Sequence, residues 1–195
     1  MVTWRRVTTH LIVLGGMAVG LAGCSSAPPT TYDLTAAPAA RVNPTRSVIV
    51  IAEPTTVSIL DSERIVVRTS AGSVAYLSGA QWADRLPKLL QSRIIQSFEN
   101  ARAVGSVGRP GDRLIAAAQL NADIRAFEVQ EKSGEAVVEI SVKLVNDRTG
   151  RVLSGQLFSA RAPAGSISGA TAAQALDQAA KAVLAQIVVW AGRGV

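Results

Sequence analysis

Between Ala118 and Ala160 the chain alternates apolar and polar residues in three successive runs, and this pattern leaves few folds open. Ala118, Leu120, Ala122, Ile124 and Ala126 alternate with Gln119, Asn121, Asp123 and Arg125. After the turn residues Lys132, Ser133 and Gly134, Val138, Ile140, Val142 and Leu144 alternate with Glu139, Ser141 and Lys143. A second turn, Asn146-Asp147-Arg148-Thr149-Gly150, leads into Val152–Ala160. Successive side chains of a strand point to opposite faces, so the pattern predicts an antiparallel meander with one face on a core and the other in water. The apolar face must then be covered by other parts of the chain.

Two segments of helical period can supply that cover. Trp82, Leu86, Leu89, Leu90, Ile94 and Phe98 recur at three- and four-residue spacing within residues 82–104. Pro87 lacks a backbone N–H and is tolerated in a first turn, which sets the start of the regular helix near Asp84. Ser78 and Gln81 have the spacing of a capping box and would start it earlier; the proline is the stronger signal. Near the end of the chain, Thr171 and Gln174 resemble a capping box. The helix that follows carries Leu176, Ala179, Ala180, Val183, Leu184, Ile187 and Trp190 on one side, and Gly192 and Gly194 close it. Upstream, Val48–Ile51 followed by Pro54 reads as a buried strand. Ile65–Val67 and Val74–Leu77 read as a hairpin around Ala71 and Gly72. The predicted class is α+β: two layers, a mainly antiparallel sheet with two amphipathic helices packed on one face. A single domain of this size buries roughly 70% of its unfolded surface.

The N-terminus has the layout of a secretory signal peptide. Arg5 and Arg6 precede an uncharged stretch, Leu11–Leu21, which is shorter than the roughly 20 residues a membrane-spanning helix needs. Val7-Thr8-Thr9 after the arginine pair lacks the continuation of twin-arginine signals, so Sec export is expected. Leu21-Ala22-Gly23-Cys24 resembles the lipobox of bacterial lipoproteins. That resemblance implies cleavage between Gly23 and Cys24, with a diacylglyceryl group on the Cys24 thiol and an acyl chain on its freed amine. Two or more chains anchor stably, at about 0.8 kcal/mol per buried methylene, where one gives only marginal binding. Ser25 in place of aspartate resembles the outer-membrane sorting signal of enterobacteria. The organisation expected is a signal peptide over 1–23, the lipidated cysteine and a flexible tether over 24–46, and one domain over 47–195. The tether assignment rests on Pro28, Pro29, Pro38 and Pro44 among Ser, Thr and Ala, with Tyr32 and Leu34 as apolar exceptions able to dock. Residues 25–46, fully extended at ~3.3 Å each, would reach roughly 70 Å, enough to stand a domain off the membrane.

The residue inventory excludes whole classes of chemistry. His10 is the only histidine and Cys24 the only cysteine, so the mature chain has no histidine and its one thiol carries lipid. Ser-His-Asp and Cys-His catalysis, histidine bases and zinc sites with nitrogen or sulfur ligands are removed. The net charge of +6 falls to +4 without Arg5 and Arg6, and no run of three basic residues occurs, so no nucleic-acid partner is expected. Glu128, Glu131 and Glu135 lie around one hairpin turn and raise the question of paired carboxylates or a cation site. The spacing is too open for a calcium loop and favours a solvated turn. Gly105, Gly108 and Gly111 lack the context of a phosphate loop and read as a turn. Trp82 could anchor a partner, but at a helix start it reads as core. Lys88, Lys132, Lys143 and Lys181 have no Ser-x-x-Lys neighbourhood. No catalytic, cofactor or metal site is predicted beyond the covalent lipid.

Several segments in order are similar to one family. They are Tyr32-Asp33-Leu34 after the lipobox cysteine, Arg64-Ile65-Val66-Val67-Arg68 and Val74-Ala75-Tyr76. Trp82-Ala83-Asp84-Arg85-Leu86-Pro87 leading into Leu89–Phe98, Ala122–Glu128 before a hydrophobic hairpin, and the Ala-rich last helix complete the set. This arrangement resembles the ABC-type transport auxiliary lipoproteins, which include the PqiC-type lipoprotein. The resemblance implies a non-catalytic accessory subunit of an intermembrane lipid transport system, anchored in the periplasmic leaflet of the outer membrane. The partners it implies are an MCE-type periplasmic protein and its ABC permease and ATPase, with phospholipid contact and homo-oligomer formation left open. Only Cys24 is carried over as a functional position. The alternative is an outer-membrane assembly or cell-envelope scaffolding lipoprotein unrelated to an ABC transporter.

Overall fold

In a computed structural model that describes residues 27–39 and 42–194, nine strands and two helices follow one another. The strands are β1 (Thr30–Tyr32), β2 (Val48–Ile51), β3 (Thr55–Thr56), β4 (Arg64–Arg68) and β5 (Val74–Trp82), then β6 (Ser106–Gly108), β7 (Ala118–Gln130), β8 (Glu135–Asn146) and β9 (Val152–Pro163). Helix α1 (Leu86–Ala101) lies between β5 and β6, and α2 (Gly169–Ala191) ends the fold. The expected class is observed, with both helices against the sheet.

Strand β7 is the spine of one mixed sheet. One of its edges pairs with β8 along its whole length, from Ala118 opposite Asn146 to Gln130 opposite Glu135, and β8 pairs in turn with β9, both antiparallel. The other edge is shared by three short strands laid end to end, all parallel to β7. Ile49 of β2 sits opposite Ala118, Thr55 of β3 opposite Asp123, and Val66 of β4 opposite Glu128. Beyond them, β6 pairs with β2 and β1 with β5 in parallel, while β4 and β5 form the expected antiparallel hairpin. Strand β6 arises in the Gly105–Gly111 segment that reads as a turn. Its three residues are too few to carry a periodicity.

A bulge at Arg125 resets the alternation of β7. Ala118, Leu120, Ala122 and Ile124 are buried before it; beyond it Phe127 and Val129 take the inward positions, and Ala126 is only half-buried. Trp82 is the last residue of β5 rather than the first of a helix, and it is still core, edge-on to Phe127 with ring centroids 5.8 Å apart. Ser78 and Gln81 belong to the same strand and cap nothing. Helix α1 opens at Leu86 with Pro87 in its first turn, as the missing N–H of proline requires. Helix α2 also begins elsewhere than expected. Ser168 is its N-cap and Thr171 the third helical residue. The Ser168 Oγ accepts from the Thr171 N–H, and the Ser168 N–H donates to Thr171 Oγ1 at 3.0 Å. The reciprocal cap uses a threonine hydroxyl where the usual pattern has Glu or Gln, so the Thr171/Gln174 pair misplaced it. Gly169 begins the helix because a Cβ there would lie 3.0 Å from the Ala80 methyl and 3.3 Å from the Tyr32 hydroxyl.

Part of the stretch with tether composition is pinned to the domain. Strand β1 joins β5, and Leu34 and Ala37 are each 1% exposed. The carboxylate of Asp33 meets Arg93 of α1 at 2.6 Å, and the Thr35 N–H and hydroxyl donate to Asp177 of α2 at 2.7 and 2.9 Å. The Ala37 N–H donates to Ser97 Oγ at 2.9 Å, and the Asn100 amide donates to the Ala37 carbonyl at 3.0 Å. Proline-rich composition predicted freedom here with Tyr32 and Leu34 able to dock; Leu34 is buried together with Ala37, and a set of matched polar groups completes a strap of residues 30–37 across both helices. Gly23 and Cys24 lie outside the described residues.

Candidate partner-binding edge

The three glutamates that stand close in sequence go to three different partners. Glu128, 5% exposed on β7, receives Arg68 of β4 in a two-pronged bond, Nε at 2.6 Å and Nη2 at 2.8 Å. That hydrogen bond, then the charge of Glu128, hold the Arg68 guanidinium more firmly protonated than usual. Glu131, in the turn, accepts the Ser70 N–H at 2.6 Å, which lowers its pKa. Glu135 on β8 pairs with Arg161 of β9 at 3.1 Å. Glu128 and Glu131 tie the β4–β5 hairpin to the meander and Glu135 ties two of the meander's own strands, and no group of three metal-ligating side chains is present among the described residues. They are fastenings of the outer sheet face, where Arg64 also lies 4.2 Å above the Tyr76 ring.

Binding potential concentrates at β9. Its inner edge is paired with β8 except at a bulge at Leu153, and its outer edge pairs with no strand among the described residues. The register with β8 turns Ser154, Gln156, Phe158, Ala160 and Ala162 toward the helix layer and Gly155, Leu157, Ser159 and Arg161 away from it. The last turns of α2 run alongside. Ala185, Gln186, Val189 and Trp190 face Phe158 across an open groove of about 580 Å³, and the two rings meet edge-on at 5.5 Å. Gly194 closes one end, where a Cβ would lie 2.9 Å from Leu144, and Arg193 stands exposed beside it. The Ser154 hydroxyl is buried there with no hydrogen-bond partner. On the opposite face Leu153 and Leu157 are 47% and 46% exposed. The polar groups lining the groove are a hydroxyl, two carboxamides and a guanidinium, which can hold a ligand but include no base paired to a nucleophile.

The sequence carried a signal for this edge. Leu153, Leu157 and Phe158 put large apolar residues on both parities of one strand, as Val137 and Val145 also do on β8, whereas the first half of β7 alternates cleanly. A strand with apolar residues on both faces is one meant to be covered on both.

The family model of the ABC-type transport auxiliary lipoprotein component matches residues 32–188, from Tyr32 of the pinned strap into the last turns of α2. The chain belongs to this family. An uncharacterised protein of Bradyrhizobium diazoefficiens is 31% identical over 186 residues, covering 91% of this chain and 49% of that one, so the chain spans about half the length of this relative. A crystal structure of a Xanthomonas campestris protein is similar, with 26% identity, a TM-score of 0.76, and 85% of this chain and 96% of that chain covered. A second solved structure, of an uncharacterised protein, has 15% identity and a TM-score of 0.67 over 86% of this chain and 98% of that one, a likeness of fold alone. The family is a lipoprotein component of transport rather than a catalytic one, and it places the chain with the cell envelope. Among the described residues no helix is long and apolar enough to cross a membrane.

Proposed function

We propose that this transport auxiliary lipoprotein is held by acyl chains on Cys24 in the periplasmic leaflet of the outer membrane. There it serves as the non-catalytic accessory subunit of an MCE/ABC-type intermembrane lipid transport system. The observation that carries the reading is the family match over residues 32–188. The open edge and groove at β9 support it, because an accessory subunit works by contact. The pinned strap alters how the anchor would act. With β1 beginning at Thr30, only residues 25–29 separate Cys24 from the folded domain. Five residues reach roughly 17 Å at ~3.3 Å each, so the domain would ride close to the lipid surface instead of standing far from it.

The test is crosslinking of the tagged lipoprotein in cells, followed by membrane separation and mass spectrometry. Recovery of an MCE-type protein with its permease or ATPase from the outer-membrane fraction is expected. Recovery of outer-membrane assembly or cell-wall proteins in their place would overturn the reading. A Cys24→Ala variant should remain as unprocessed precursor in the inner-membrane fraction; its normal arrival at the outer membrane would refute the anchoring role.

A further inference from the structure

We infer that β9 is a docking edge that takes up one extended, acidic strand from a partner protein by strand addition. The mode of binding comes from the geometry; which protein supplies the strand rests on the accessory-subunit reading above.

The backbone sets the kind of ligand. An edge strand presents a row of unpaired N–H and C=O groups, and natural proteins shorten, charge or cover such rows. Two other outer strands follow that rule: β1 and β6 have three residues each, and the chain continuing from β1 is strapped down, while β5, covered by β1 only over Ala80–Trp82, keeps a shorter open edge over Val74–Gly79. Strand β9 has twelve residues, a single charge at Arg161, a proline only at its last position and a bulge only near its start, at Leu153, so Ser154–Ala162 run as an unbroken edge. An added strand would pair the whole row, whereas an acyl chain lying in the same groove offers no donor or acceptor and would leave those groups to water or desolvated.

The side chains set the pattern of that strand. Alternate residues of an added strand point to opposite faces of the sheet. On the helix side they would enter the groove against Phe158, Val189 and Trp190; on the other side they would lie against Leu153 and Leu157. Apolar residues are therefore wanted on both parities near the centre of the incoming segment.

Charge selects the partner. No acidic residue occurs in β9, nor in α2 and its end from Gln178 to Gly194. On the neighbouring β8, Glu139 opposite Ser159 is matched by Arg125, which leaves Asp147 of the β8–β9 turn as the acid beside the edge without an ion pair among the described residues. Lys143, Arg151 and Arg193 flank the edge and form no ion pair among the described residues; Arg161 is matched by Glu135. A second copy pairing its own β9 across a two-fold axis would bring two basic edges together. An acidic strand from another chain is complementary. The location also suits a bridging partner: β9 lies five strand spacings from β1, about 24 Å at ~4.8 Å each, on the opposite margin from the point where the anchor segment enters.

The experiment places a photo-crosslinking amino acid at Leu157 or Gln156 on β9, at Val74 on β5, or at Gln96 on α1, in the full-length lipoprotein in its own cells. The crosslinked peptides are then sequenced. Adducts at Leu157 and Gln156 to the same acidic, apolar-rich segment of a transport subunit are expected. Reversing Arg151 and Arg193 to Glu should cut their yield about five-fold or more, since each exposed charge contact is worth up to about 1 kcal/mol. Transport-subunit adducts confined to Val74 or Gln96 would overturn the docking edge and leave the accessory role standing. A second copy of this chain, or lipid alone, at Leu157 would overturn the acidic-strand partner. No transport-subunit adduct at any of the four positions would remove both the edge proposal and the accessory role.

Discussion

At one margin of the sheet, β1 is three residues long and the chain leaving it is pinned over α1 and α2 by Leu34, Ala37 and a set of hydrogen bonds; at the other, β9 runs twelve residues with no strand beyond it among the described residues. The first margin uses apolar residues as the core does, hidden and matched. The second leaves Leu153 and Leu157 nearly half exposed beside an aromatic groove. The first margin is covered where β1 lies along Ala80–Trp82 of β5, and the second is covered by no strand among the described residues. The bare margin therefore reads as a surface kept for another molecule, and the covered one as the side on which the proposed anchor would enter.

Substitutions at the two margins should differ in kind. Leu34→Ala should lose about 2–4 kcal/mol in urea denaturation, the cost of deleting a buried leucine where the site cannot collapse. A loss below about 0.5 kcal/mol would mean the strap is not part of the cooperative unit, and the contrast would fail. Asp177→Ala removes the acceptor of both Thr35 donors and should cost about 1–2 kcal/mol. Hydrogen exchange should then quicken at the Thr35 amide while β8 stays protected; equal loosening of both would place the effect in α2 instead. Leu157→Ser, on the bare margin, should change stability by no more than about 0.5 kcal/mol, as surface substitutions do. A larger fall in Tm would show that the leucine packs within this chain.

The smallest effect should come from two carboxylates at neither margin. The Ser70 N–H lowers the Glu131 pKa, and the Lys88 hydrogen bond, then the Arg85 N–H, lower that of Asp84. A carboxylate with a folded pKa below its unfolded value, about 4, stabilises the fold above that pH and loses its contribution as pH falls through the folded value. Wild type should therefore lose slightly more Tm on acidification below about pH 4 than a Glu131→Gln/Asp84→Asn variant. Identical acid sensitivity would show that these bonds do not persist in solution.

The meander, the β4–β5 hairpin and the apolar faces of both helices were legible because each rests on a period that local sequence carries. The parallel pairings of β2, β3 and β4 with β7 were not, since runs of two to five residues name no partner. The strap was legible in part: Tyr32 and Leu34 stand out as apolar residues able to dock, whereas Ala37 and the sockets on both helices show only in the folded chain. Of the site, Trp190 was placed on the core side of its helix, where it is half-buried and meets Phe158. That β9 lies outermost could not be read, because strand order is a long-range property.

The end-to-end arrangement of β2, β3 and β4 along β7 has a consequence in time. Ile49 and Thr55 find their neighbours only when Ala118 and Asp123 exist to receive them, and α2, which seals the apolar face, is the last element of the chain. Such distant pairings slow folding, because a long loop must close before any contact rewards it. A chain delivered from its N-terminus would hold its first strands open until the spine had followed, and would need shelter from aggregation through that interval.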